Sequence, residues 1–248
     1  IYVPEDKDRY LSSFDVTEKY LLLNYKNKGI PESVVKDFET GFDKTVNFPD
    51  SAYTADIFST DYFENDIRIN YSSLSRPTTI YNYDYDSNNL SILKVQEIPG
   101  GFDSEQYQVE RVHASYDGVE VPISLFYKKS LFKNDGSNPL FLYGYGSYGI
   151  SIPPSFRNTA ISLVDRGFVY AIAHIRGGDD LGHDWYEAAK FLTKKRSFND
   201  FIAAAEELIK QKYTSSGNIV IAGGSAGGLL IGNVINQRPE LFKAAIAH

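Results

Sequence analysis

The stretch IVIAGGSAGGLLIG, residues 219–232, joins an apolar run of strand character directly to a run of helical character. Ser225 stands at the junction with glycines on both sides. With no linker between them, the strand and the helix must pack closely, and this explains why the neighbouring positions lack side chains. The stretch therefore predicts a sharp strand-to-helix turn in an α/β fold.

From Tyr107 onwards the sequence alternates between strand-like and helix-like segments. Two alternating runs flank Asp117-Gly118, which predicts a β-hairpin. Ser197, with Asp200 three residues later, predicts the N-terminal cap of the longest helix. Strands are predicted at NPLFLYGYG, VYAIAHI, NIVIAGG and KAAIAH, and helices at SFRNTAISLVDRGF, SFNDFIAAAEELIKQKY and SAGGLLIGNVINQ. This order indicates a parallel sheet whose strands are joined through helices.

The preceding part of the chain has a different texture. Short strand-like runs such as KYLLLNYKN and IRINYSSL alternate with turns, and no helical periodicity of good length occurs. Asp86, Ser87, Asn88 and Asn89 separate two strand-like runs and predict a hairpin. Repeated short strands are typical of a sandwich, a barrel or a propeller, and the pattern does not choose among them.

Composition limits the partners and the setting. The net charge is −7 without a basic block, so nucleic acid and anionic membranes are not expected as partners. There is no cysteine and no apolar stretch of membrane-spanning length, which fits a cytoplasmic protein. The chain has no methionine, even at position 1, and opens in mid-pattern. We therefore expect a piece of a longer polypeptide.

The serine lies in a G-x-S-x-G motif, the signature of a nucleophile elbow. Ser225 would be the nucleophile, and Gly223, Gly224 and Gly227 would allow the close strand–helix approach. The N–H of Ala226, at the helix N-terminus, could stabilise an oxyanion. The alternative is a tight turn without chemistry, because glycine-rich turns between strands and helices are common.

Two further motifs compete for a function. Gly144, Gly146 and Gly149 match G-x-G-x-x-G, but Pro153-Pro154 blocks an immediate helix, so a nucleotide site is not favoured. The tyrosines among these glycines could instead supply a second oxyanion donor, or could simply pack. The segment HIRGGDDLGHDW gathers His174, Asp179, Asp180, His183 and Asp184. We interpret it as a charged surface loop beside the active site, and we expect no metal and no cofactor.

The segments LYGYGSYGISIPPSF, LVDRGFVYAIAHIRGGDDLGHDWYEAAKFLTKK, SFNDFIAAAEELI and GGSAGGLLIGNVINQRPELFKAAIA together resemble the prolyl oligopeptidase family of serine peptidases. The likeness extends with few gaps from about Tyr71 to Ala247. It implies that residues 1–100 form the last blades of a β-propeller and that residues 101–248 form the N-terminal half of an α/β-hydrolase domain. It also implies Ser225 as the nucleophile, Tyr145 and Ala226 as the oxyanion hole, and Tyr148 as a substrate-pocket residue.

The family resemblance further implies cleavage of short peptides, and overall likeness favours the members that cut after Arg or Lys over those that cut after Pro. The order of the triad is Ser, Asp, His in this fold, so both partners of Ser225 would follow it at a distance. His248 stands where the family does not place its base. We therefore expect this chain alone to be inactive and its partner to be the missing C-terminal half of the hydrolase domain. A catalytically dead remnant and an esterase on the same fold are the alternatives.

Overall fold

Alternating apolar and polar residues in the first part of the chain form two antiparallel sheets of four strands each. The computed structural model of the chain describes residues 2–248. The first sheet comprises β1 (Arg9–Val16), β2 (Tyr20–Asn27), β3 (Ile30–Asp37) and β4 (Asp43–Val46), and the second comprises β5 (Tyr53–Phe58), β6 (Arg68–Ser73), β7 (Arg76–Asp84) and β8 (Asn89–Val95). Successive strands are neighbours in both sheets. Four-stranded meanders in succession are the unit of a β-propeller, which agrees with the fold that the family resemblance implies.

The third sheet has six strands and mixed direction. Its strands are β9 (Tyr107–Tyr116), β10 (Val119–Lys128), β11 (Leu140–Tyr143), β12 (Val169–Ala173), β13 (Ile219–Gly223) and β14 (Phe242–Ala247). They lie in the order β14-β13-β11-β12-β10-β9. β9 and β10 form the antiparallel hairpin around Asp117-Gly118, while β12, β11, β13 and β14 are parallel. The predicted strands and hairpin are confirmed.

Helices cover this sheet: α1 (Asn158–Val164), α2 (His183–Glu187), α3 (Lys195–Lys210) and α4 (Ala226–Gln237). The apolar face of α3 packs Phe201, Ala205 and Leu208 into the core beneath the sheet, and α4 adds Leu230 and Val234. None of the helices within residues 2–248 has the length and apolar character needed to cross a lipid bilayer.

The predicted cap of α3 is wrong. The helix begins at Lys195, so Ser197 and Asp200 lie inside it and are fully buried. Ser197 Oγ donates to the carbonyl of Arg176, and Asp200 accepts from the Arg176 guanidinium. These tertiary bonds satisfy the side chains that the local pattern assigned to the cap, because a buried polar group must find a partner wherever the fold offers one.

The interpretation of residues 174–184 as a charged surface loop is also wrong for two of its five members, His174 and Asp180, and Asp179 is half-buried. His174, Arg176 and Asp180 are buried, whereas His183 and Asp184 are exposed. Arg176 forms ion pairs with Asp200 and Asp117. A buried charge is tolerated only when it is paired and hydrogen-bonded, and here the pairing ties the loop to α3 and to the β9–β10 turn.

Candidate active site

Ser225 lies where β13 ends and α4 begins, in a backbone conformation that few side-chain-bearing residues adopt. Its φ is 54° and its ψ is −120°. The residue is exposed, and the N–H groups of Gly227 and Gly228 turn back to the carbonyls of Gly224 and Ser225. The chain therefore makes a tight turn that presents the Ser225 hydroxyl above the carboxyl edge of the sheet, as in a nucleophile elbow.

Two of the elbow glycines, Gly223 and Gly227, are required by contacts between backbone segments. A Cβ placed on Gly223 would lie 2.6 Å from the carbonyl oxygen of Gly227 and 3.0 Å from that of Gly144. A Cβ on Gly227 would lie 3.0 Å from the carbonyl oxygen of Gly144. At Gly224 the nearest atom would be His248 Nε2, at 2.9 Å. The first turn of α4 thus packs directly on β13 and on the end of β11, with no room for a methyl group.

The N-terminus of α4 supplies one group suited to bind an oxyanion. The N–H of Ala226 has no hydrogen-bond partner among residues 2–248, while those of Gly227 and Gly228 are used within the turn. The helix dipole adds positive character at the same point. The geometry therefore leaves a backbone N–H next to Ser225 that is free to donate a hydrogen bond to an oxyanion.

Tyr145 lies on the loop that follows β11, beside this helix end. The β11–β13 ladder continues past the strands through the bond from the Gly144 N–H to the carbonyl of Ala222, which brings the loop alongside the elbow. A Cβ on Gly227 would lie 3.5 Å from Tyr145 Cδ2. The Tyr145 hydroxyl has no hydrogen-bond partner within the part of the chain that the structure describes. Its ring thus contacts the first turn of α4, and its hydroxyl remains available as a donor.

Tyr148 lies on the same loop, which we call the tyrosine loop (residues 144–149). Its φ is 59° and its side chain is 72% exposed. A tyrosine whose backbone lies in the left-handed region and whose ring lies in solvent contributes little to the core. The ring is therefore accessible to another molecule. Tyr143, two residues before Tyr145, is the last residue of β11.

No side chain of residues 2–248 forms a hydrogen bond with Ser225 Oγ. His248 approaches the elbow, because its carbonyl accepts from the Ser225 N–H and its ring lies against Gly224. These contacts complete the β13–β14 ladder and do not join the imidazole to the hydroxyl. His183 is exposed, and its Nε2 lies 3.3 Å from Glu187 Oε1. His113 is on β9, where burial and the nearby charge of Arg111 lower its pKa.

A chain of hydrogen bonds elsewhere has the residue types of a catalytic triad. Ser124 Oγ lies 2.7 Å from His174 Nε2, and His174 Nδ1 lies 2.9 Å from Asp180 Oδ1. All three side chains are buried, and Ser124 is completely inaccessible. A substrate cannot reach this serine, so we interpret the three residues as a structural link between β10, β12 and the following loop.

Neither competing motif acquires the geometry it would need. Among residues 2–248, no group of three or more His, Cys, Asp or Glu side chains is arranged to hold a metal ion. After Gly144, Gly146 and Gly149 the chain stays irregular until α1 begins at Asn158. A dinucleotide fingerprint needs a helix directly after the last glycine, and the structure has none there.

The support of the tyrosine loop was missed by sequence reasoning. Lys194 Nζ donates to the carbonyl of Gly146 and lies 2.8 Å from Ser147 Oγ and 3.1 Å from Ser197 Oγ. A Cβ on Gly177 would meet the carbonyl oxygen of Gly146 at 2.1 Å. The Lys-Lys pair at the start of α3 and the Gly-Gly pair after Arg176 were visible in the sequence. Nothing in their spacing indicated that they meet the tyrosine loop.

Along nearly all of its length the chain is similar to known proteins. The pattern of the Prolyl oligopeptidase family matches residues 154–248, and that of the Prolyl oligopeptidase N-terminal beta-propeller domain matches residues 2–96. Protease 2 of Moraxella lacunata is 36% identical over 98% of this chain, and the Prolyl endopeptidase of Elizabethkingia meningoseptica is 34% identical over 91%. The structure of oligopeptidase B from Trypanosoma brucei with covalently bound antipain superposes with a TM-score of 0.90, at 38% identity over 99% of this chain.

The matches cover only part of those proteins. This chain spans 35% of Protease 2, 32% of the prolyl endopeptidase and 36% of the oligopeptidase B structure. The similarity thus extends along nearly all of this chain and about a third of each relative.

Proposed function

Because the chain belongs to the prolyl oligopeptidase family, we propose that it carries the nucleophile of a serine oligopeptidase, which hydrolyses short peptides. The observation that carries the proposal is the exposed Ser225, held at φ 54° between a buried strand and the N-terminus of α4. A strained and exposed serine beside a free backbone donor costs folding stability, and such strain concentrates at functional sites.

The proposed reaction proceeds through an acyl-enzyme. Ser225 Oγ attacks the carbonyl carbon of the scissile peptide bond while a general base takes the hydroxyl proton. The oxyanion that forms accepts hydrogen bonds from the Ala226 N–H and the Tyr145 hydroxyl. The C–N bond then breaks, the leaving amine takes the proton from the base, and the acyl group stays on Ser225 until water releases it.

We propose that the general base and its carboxylate partner lie outside residues 2–248. This is supported by the lack of a hydrogen-bond partner for Ser225 Oγ within those residues and by the order Ser, Asp, His in this fold. It is also supported by relatives about three times as long as this chain. On this proposal, residues 1–248 alone hydrolyse no peptide at a useful rate, since an unassisted serine hydroxyl is a weak nucleophile.

For the substrate, we propose cleavage after Arg or Lys, with Tyr148 lining the pocket. The support is overall likeness: Protease 2 and oligopeptidase B are among the similar proteins. Cleavage after Pro is the second candidate, because a prolyl endopeptidase is 34% identical to this chain. We further propose that the propeller blades restrict access to short peptides.

Two other outcomes compete with peptidase activity. A catalytically dead remnant of such a peptidase would keep the turn at Ser225 but would hydrolyse no substrate. An esterase on the same hydrolase fold would cleave short acyl esters, but the two propeller-like sheets favour a peptidase, since simple esterases lack such a domain. The presence of these sheets, formed by residues 9–95, makes the esterase the weaker candidate.

The test is a substrate panel. The assays use the full-length or reconstituted protein, which on this proposal also contains the general base and its carboxylate partner. This protein and its Ser225→Ala variant would be assayed with fluorogenic peptides ending in Arg, Lys or Pro and with short acyl esters. Ser137→Ala, in an exposed turn, is the matched control. We expect turnover after Arg and Lys, unchanged in the control and reduced by several orders of magnitude in Ser225→Ala. Full activity in Ser225→Ala would exclude the proposed nucleophile, and ester cleavage alone would favour the esterase.

A further inference from the structure

The tyrosine loop carries the proposed oxyanion donor, the Tyr145 hydroxyl, but no hydrogen bond of this hydroxyl within residues 2–248 fixes its position. The Tyr145 hydroxyl has no partner among residues 2–248, and Gly144, Gly146 and Gly149 contribute no side chains to anchor the loop. The position of the hydroxyl therefore depends on how the loop backbone is fixed. A donor of this kind must be held within a fraction of an ångström to stabilise a transition state.

The loop backbone is fixed by its contact with residues 175–178 and with the start of α3. Gly149 donates its N–H to the carbonyl of Gly177, and a Cβ on Gly146 would lie 2.6 Å from Ile175 Cδ1. The carbonyl of Gly146, directly after Tyr145, points to the Lys194 ammonium and to Ser197 Oγ at 3.3 Å. One cation thus bonds the peptide unit between Gly146 and Ser147, one residue beyond Tyr145.

Lys194 differs from the lysines of this chain that form ion pairs. Lys26, Lys36, Lys128, Lys190 and Lys210 each pair with a carboxylate. Lys194 has no carboxylate at ion-pairing distance among residues 2–248, and its three acceptors are the Gly146 carbonyl and the hydroxyls of Ser147 and Ser197. Burial lowers its pKa, with no opposing charge to restore it. The placement therefore costs folding stability, which argues for a role beyond stability.

We propose that Lys194 is the positioning residue for Tyr145. Its ammonium clamps the Gly146 carbonyl and Ser147 and so holds the Tyr145 hydroxyl at the oxyanion site beside the Ala226 N–H. The proposal rests on the proposed function of Tyr145, but the clamp itself exists independently of catalysis. A charge-assisted bond to a carbonyl is stronger than a neutral one, which suits a lysine to this task.

The kinetic test is a double-mutant cycle with Lys194→Met and Tyr145→Phe in the full-length or reconstituted protein. Lys194→Met keeps the length of the side chain and removes the charge and the donors. We expect kcat to fall about 10- to 100-fold with KM within about 2-fold, because only the developing oxyanion is mispositioned. In the Tyr145→Phe background the same change should cost less than about 2-fold, since the hydroxyl that it positions is gone. The control is Lys195→Met, at the neighbouring exposed lysine.

An equal loss in both backgrounds would overturn the proposal, because Lys194 would then act independently of Tyr145. A change in KM alone would overturn it as well. Should Lys194→Met fail to fold, Lys194→Gln, which loses the charge but retains an NH2 donor group, replaces it in the same cycle with a smaller expected loss.

A second measurement separates this inference from the proposed function. Hydrogen exchange of the amides in residues 144–149 does not depend on turnover. We expect about 10-fold faster exchange in Lys194→Met than in Lys195→Met, with the remaining chain unchanged. If the protein shows no hydrolysis at all, the proposed function fails. The exchange measurement alone then decides whether Lys194 fixes the backbone of the tyrosine loop. Unchanged exchange in the tyrosine loop would overturn it.

Discussion

At the scale of single residues, the proposed oxyanion hole has two donors, and they differ in how they can be tested. The Ala226 N–H belongs to the backbone and cannot be removed by a side-chain substitution. The Tyr145 hydroxyl can be deleted while its ring still packs against the first turn of α4. Tyr145 therefore gives the cleaner test of the oxyanion hole.

We predict that Tyr145→Phe lowers kcat by roughly 10²–10³, about 2.7–4 kcal/mol, with little change in KM. The loss falls on kcat because the hydroxyl bonds the oxyanion and not the ground-state substrate. Steady-state kinetics on the peptide that the panel identifies would measure it. Tyr143→Phe is the control, and a loss in that variant in place of Tyr145→Phe would show that the wrong tyrosine has been assigned.

At the scale of elements, the elbow is a contact between backbone segments of β11, β13 and α4. Gly223 and Gly232 both lie within residues 219–237, but a side chain added at each would have different neighbouring atoms. A Cβ on Gly223 would collide with two carbonyl oxygens, while a Cβ on Gly232, within α4, meets no atom within 4 Å. The two glycines form a matched pair for substitution by alanine.

We predict that Gly223→Ala lowers the free energy of unfolding by about 1–3 kcal/mol, because the backbone must shift to admit the methyl group. Gly232→Ala should raise it by about 0.5–1 kcal/mol, since alanine restricts the unfolded chain and favours the helix. Urea denaturation followed by circular dichroism would compare the two. Equal stability in both variants would contradict the close packing of the elbow.

The sequence predicted the helices and strands, but it did not predict the side-chain contacts between them. The strands and helices from Tyr107 onwards follow from alternation and helical periodicity, and the elbow follows from the G-x-S-x-G motif between them. Ser197 and Asp200 match a capping pattern, yet both bond Arg176. Local pattern cannot show such partners, because Arg176 comes into contact with α3 only when the sheet forms. The support of Tyr145 by Lys194 was out of reach for the same reason.

At the scale of the whole molecule, β14 forms one edge of the third sheet, and most of its residues are exposed. Ile246 is 48% exposed in this strand, next to several alanines. An apolar edge strand with unpaired backbone groups is a template for association with another chain. Residues 1–248 expressed alone should therefore self-associate.

We predict that Ile246→Lys raises the monomer fraction of residues 1–248, measured by size-exclusion chromatography with light scattering. A charge on an edge strand opposes pairing with a second strand. Leu192→Lys is the control, because Leu192 is fully exposed but lies outside any strand. An equal gain in the control would assign the effect to net charge, and a monomeric unsubstituted chain would contradict the prediction.

The central claim is that Ser225 is the acyl-accepting nucleophile and depends on a base outside residues 2–248. The most direct measurement is the site and rate of reaction with a fluorophosphonate probe, mapped by peptide mass spectrometry. We predict rapid labelling at Ser225 alone in a full-length or reconstituted protein that contains the proposed base, and labelling of residues 1–248 alone that is slower by several orders of magnitude. Rapid labelling of residues 1–248 would contradict the external base, and an adduct at Ser147, Ser124 or any other serine would contradict the nucleophile itself.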